Sequence, residues 1–154
     1  MRTVLVVLAL ALTGPALGAR TESPTDVATL ASTAKSVVHV RVAKAETFRE
    51  RYDVKTTYTL VPLQTLSGDR AEALSLTLPG GVLDGVTVQA QGVPVWSVGD
   101  EAIVFLPPEG PVSLDAVLTV RDGQVVDPAG RAVPERVEGV REMVLQSPAS
   151  AESR

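Results

Sequence analysis

Few side chains in this sequence have the types and spacing that chemistry requires. Ser32-Thr-Ala-Lys35 matches S-x-x-K, in which a lysine one helical turn from a serine helps activate it as a nucleophile. The companion motifs are missing: no S-D-N occurs, and Lys55-Thr56-Thr57 departs from K-T-G. His39 is the one histidine. Alternation along Val38, Val40 and Val42 turns the valines inward and puts His39 beside Arg41 on a solvated face, away from a cleft where a general base would work. A zinc site needs three or four nitrogen or sulfur ligands, and the chain holds one histidine and no cysteine. Asp84, Asp100, Glu101 and Asp115 raise acid–base work or calcium, but none lies in a D-x-D-x-D-G loop. Asp84-Gly85, Gly99-Asp100 and Asp122-Gly123 read as turn formers. Gly80-Gly81 lacks the Gly-Lys-Ser/Thr ending of a phosphate loop. Trp96, in Val93-Pro-Val-Trp-Ser-Val98, has two readings. It plugs one end of a core against Phe105, or it joins Val93 and Pro94 on a binding loop, as tryptophans do at contact hot spots. These residues give no catalytic set, no cofactor site and no metal site.

The elements that must position them are mostly strands. Residues 24–35 read as a short helix capped by Thr25 or Asp26, with Val27, Leu30, Ala31 and Ala34 at helical spacing. A strand begins at Ser36, the charged segment 46–51 reads as a hairpin loop, and a second strand runs from Asp53 to about Leu63. The apolar positions change parity at Val61-Pro62-Leu63, which predicts a bulge. Leu74, Leu76 and Leu78 alternate in a third strand, and Val86, Val88 and Ala90 alternate with Thr87, Gln89 and Gln91 as a fourth with one face buried. Ala102-Ile-Val-Phe-Leu106, stopped by Pro107-Pro108, has no polar alternation and predicts a central strand buried on both faces. Asp122-Gly123 between two valine-rich runs is a strong hairpin signal. Pro134 is expected to open a C-terminal helix with Val137, Val140 and Val144 as its stripe. The fold class expected is mainly β: a small OB-like barrel, closed or partly open, of five to seven strands, with one helix near each end.

The chain has 154 residues, and its first 18 have the pattern of a secretory signal peptide. Arg2 supplies the positive start, Val4–Leu12 the apolar stretch, and Ala16-Leu17-Gly18 the small residues before a cut at Ala19. A bilayer span needs about 20 apolar residues, so no stable membrane anchor is expected. The remainder reads as one β-rich domain over 19–146 with a polar tail over 147–154. Arg2 is the one charged residue removed, leaving one basic residue fewer than the 14 of the whole chain against 18 acidic ones, a net charge of −5. That balance argues against nucleic acid as a partner. The absence of cysteine excludes disulfides and thiol chemistry, so the core alone must hold the fold.

Several segments together resemble a recurrent type of uncharacterised secreted bacterial β-rich protein. They are Ala34-Lys-Ser-Val-Val-His-Val-Arg-Val42, Thr57-Tyr-Thr-Leu-Val-Pro-Leu63 with Leu66-Ser-Gly68, Leu78-Pro-Gly-Gly81, and Val98-Gly-Asp-Glu-Ala-Ile-Val-Phe-Leu106. The layout, over about residues 27–107, also resembles netrin-like modules and tissue inhibitors of metalloproteinases, which are OB-fold barrels. Those inhibitors chelate the protease zinc through an N-terminal cysteine, which this chain lacks, so the resemblance implies architecture alone. The expected function is a non-enzymatic, exported module, secreted or periplasmic, that binds a protein or an envelope component. A serine hydrolase using Ser32 and Lys35, or a loop-based protease inhibitor, stands behind it.

Overall fold

The computed structural model describes residues 26–146; the expected leader and tail lie outside them. The chain opens on α1 (Val27–Thr33), where Asp26 accepts hydrogen bonds from the backbone N–H groups of Ala28 and Thr29. The Thr29 hydroxyl also donates to Asp26 and, with those N–H groups, holds its carboxyl below the usual range. Seven residues make too short a helix to persist alone, so burial of Val27 and Ala31 supplies the rest. The expected continuation to Lys35 fails, because Ala34 is already extended.

Strands β1 (Ser36–Glu50) and β2 (Asp53–Ser67) form one long hairpin, so residues 46–50 are strand rather than loop. Then come β3 (Leu74–Pro79), the short β4 (Gly81–Leu83) and β5 (Val86–Val88), β6 (Glu101–Leu106), β7 (Val117–Arg121), β8 (Gln124–Val126) and β9 (Ala132–Arg136). Helix α2 (Val137–Gln146) follows. Among the described residues, seven strands make one antiparallel sheet in the order β3-β2-β1-β6-β7-β8-β9, while β4 and β5 pair only with each other. The fold is mainly β, as expected. The ladders end at β3 and β9 without joining, so a closed barrel is not found among the described residues.

The sheet is covered on both faces. On one, α1 and α2 bury Val37, Leu66, Ile103, Phe105, Leu118, Val125, Val140 and Val144. On the other, Val38, Val40, Val42, Tyr58, Leu60, Ala102 and Val104 meet Val93 and Trp96 from the loop after β5. Strand β6 gives Ile103 and Phe105 to the first core and Ala102 and Val104 to the second, so its unbroken apolar run has the expected physical cause.

Register shifts in the β1–β2 ladder fall between Val37 and Val38, His39 and Val40, and Val42 and Lys44. The second places a bulge at Leu63, where the parity change predicted one. Pro62 pairs with Val40 on one side only, since β3 has ended opposite Leu60, so its missing N–H breaks no second ladder. Two sequence expectations are corrected. Val86 and Val88 are exposed, at 62% and 41%, because β5 belongs to a small hairpin outside the main sheet. Pro134 lies within the edge strand β9, whose Val133 fills the helix-side core, and α2 starts three residues later, at Val137.

Candidate functional site

Two features meet at the start of β6, one on each face of the sheet. On the loop side, residues 89–100 are pinned by their backbone. Val42 donates to the Asp100 carbonyl at 2.8 Å, Gly99 donates to the Val42 carbonyl at 2.9 Å, and the Asp100 carboxylate accepts from Ser97 N–H at 2.8 Å. This brace drives Trp96 into the sheet, where it is 4% exposed. Its ring meets Tyr58 edge-on with centroids 5.1 Å apart, and its Nε1–H donates to the buried Thr119 hydroxyl at 2.9 Å. Its backbone N–H donates to the Tyr58 hydroxyl at 3.2 Å. Val93 is buried as well, and Pro94 is half-buried. The plug has Tyr58 as its aromatic partner; Phe105, the expected one, faces the opposite core.

On the helix side, Glu101 sits between His39 and Arg41. Its Oε2 is 2.9 Å from His39 Nε2, and its Oε1 accepts from the Arg41 guanidinium at 2.8 Å. The Arg41 hydrogen bond, aided by His39, holds the Glu101 carboxyl below the usual glutamate range against a smaller opposing effect of burial. The ladder explains the cluster: Arg41 pairs directly with Glu101, and His39 lies one position along the same face, opposite Ile103. His39 keeps only 14% of its side chain exposed, so it is less solvated than its alternation implied. Beside the cluster an open cleft of about 520 Å³ is lined by Asp100, Glu101, Val120, Arg121 and Asp122. Among the described residues no group of three or more potential ligands could hold a metal ion.

The other expected groups are placed apart. The Ser32 hydroxyl donates to the Thr29 carbonyl at 2.8 Å, and Lys35 lies past the end of α1, 3.5 Å from Asp69. No hydrogen bond joins Ser32 to Lys35, so the helical turn that S-x-x-K depends on is not formed. Asp84 and Asp122 take φ of 52° and 51° in their Asp-Gly turns. Sequence reasoning missed Thr119 and the Glu101 contacts. A signal for Thr119 was present, since a lone hydroxyl inside Val117-Leu-Thr-Val120 needs a buried partner.

A third feature lies at the far end of the β1–β2 hairpin. Arg51 and Tyr52 form a two-residue turn between the paired Glu50 and Asp53. Tyr52 is 98% exposed, and Arg51 has φ of 56°. The Lys55 ammonium is bonded to Glu50, which raises its pKa, and Lys44 pairs with Glu46 at 2.8 Å. Arg49 and Arg51 have no ion pair among the described residues. No protein-family model, curated protein or solved structure matches this chain.

Proposed function

We propose that the chain is an exported, non-enzymatic β module that binds a protein or an envelope component, with the apex of the β1–β2 hairpin as its contact. The observation that carries this reading is Arg51 and Tyr52 at that apex. A two-residue hairpin with positive φ at its first position favours glycine there. An arginine in that conformation costs on the order of 1 kcal/mol. Asp84 and Asp122 also have positive φ, but each precedes a glycine in an ordinary Asp-Gly turn. Arg51 precedes a tyrosine instead, so the turn gives up stability to present two of the residue types that dominate contact energies. Trp96 and Val93 are spent on the core, which moves the contact role from their loop to this apex.

Export is supported by Arg2, the apolar stretch Val4–Leu12 and the small residues at 16–18. Support for an OB-like curl comes from the three register shifts, since bulges coil a sheet. Inhibition of a protease is a second reading that the same protruding apex favours. The test is capture of envelope and secreted proteins by the immobilised chain, with Tyr52→Ala and Arg51→Gly as variants. Tyr52→Ala is expected to cut capture by about tenfold or more with melting unchanged. Arg51→Gly is expected to weaken capture while raising stability by about 1 kcal/mol. Capture indifferent to both substitutions overturns the reading, and loss of activity of a co-secreted protease favours the inhibitor.

A further inference from the structure

The outer edge of β1 changes character at Val42. Up to Arg41 it is paired with β6, and Val42 itself is bonded to Gly99 and Asp100. From Lys44 to Glu50 β1 is paired with β2 alone, and no strand lies along its other edge among the described residues. Seven extended residues span about 24 Å, long enough to template another strand. Among the described residues, five of the eight large apolar side chains that are exposed lie on this arm, its turn and the β4–β5 hairpin beside it: Phe48, Tyr52, Val82, Val86 and Val88.

We infer that this edge pairs with the same edge of a second copy of the chain. The occupant follows from charge. Two antiparallel edges related by a twofold axis normal to the sheet keep their faces, so opposed residues have equal parity. The free stretch Lys44–Glu50 has Thr47 at its middle, and the register centred there uses all of it. That register sets Lys44 opposite Glu50 of the second copy, twice, and Phe48 opposite Glu46, with Ala45 under Arg49. No like charges oppose. Moving the centre one residue either way, which shifts the pairing by two, is unfavourable: centred on Glu46, that glutamate meets its own copy; centred on Phe48, Glu46 meets Glu50 twice. Opposed unlike charges on paired strands stabilise and like charges destabilise, so the pattern selects one register. Lysines on an edge often serve to prevent pairing. Here Lys44 sits where the self-pairing register needs it.

The experiment is sedimentation equilibrium of the purified chain from about 1 to 100 µM, a range that covers a modest strand-edge interface. A concentration-dependent dimer is expected. Lys44→Glu and Glu50→Lys should each weaken it by about tenfold or more, and the two combined should restore it to within about threefold. Both side chains are exposed, so circular dichroism should show all three variants folded. A monomer throughout the range overturns the proposal and leaves the edge free for a different polypeptide. A dimer unmoved by the reversals, or not restored by their combination, overturns it too.

Discussion

Trp96 and Thr119 show how one buried hydrogen bond fixes a loop. Thr119→Val keeps the shape of the pocket but strands the indole N–H, which should cost about 1–3 kcal/mol in urea unfolding. Trp96→Ala empties the same space and should cost about 3–5 kcal/mol. A loss below about 1 kcal/mol in the second case would place the ring at the surface. Glu101 gives a pH dependence of definite sign. Its folded pKa is depressed, so its contribution is complete above the ordinary glutamate value, roughly 4.3, and disappears as pH falls through the lower folded value. Glu101→Gln should therefore lower stability at pH 7 and change it little well below that lower value, as read by denaturant midpoints. The sequence exposed His39 and Arg41 as neighbours on one face, because alternation reports faces. It could not supply Glu101 as their partner, since strand pairing between residues about 60 apart leaves no local trace.

At the level of elements, the starts of strands were legible and the ends were not. Ser36, Asp53 and Leu74 begin strands where apolar alternation begins. Residues 46–50 look like loop because both faces of the arm carry charge, so no period marks them as extended. The opposite error befell Val86 and Val88, whose alternation is real but covers no core. Pro134 suits a helix start, yet an edge strand tolerates it equally, and tertiary packing of Val133 decided between them. Phe105→Ala in β6 should cost about 3–5 kcal/mol, whereas Phe48→Ala on the arm should stay within about 0.5 kcal/mol. Gly68→Ala tests the turn after β2, where φ is 78° and a Cβ would lie 2.2 Å from the Lys35 carbonyl oxygen. The loss expected there is at least about 2 kcal/mol in thermal or urea unfolding.

Across the whole molecule, one sheet serves two cores, and that arrangement was only half visible beforehand. The continuous apolar run of β6 announced two covered faces. It did not announce that helices would cover one face and an irregular loop the other, because no helical period marks residues 89–100. Strand β6 is thus a partition wall common to both chambers, and neither can be emptied while the other stays filled. Nicking the chain between Pro107 and Ser113 should therefore release no fragment that holds its shape alone. Deuterium should enter the amides of β6 last of all, well after it has reached the far end of the arm.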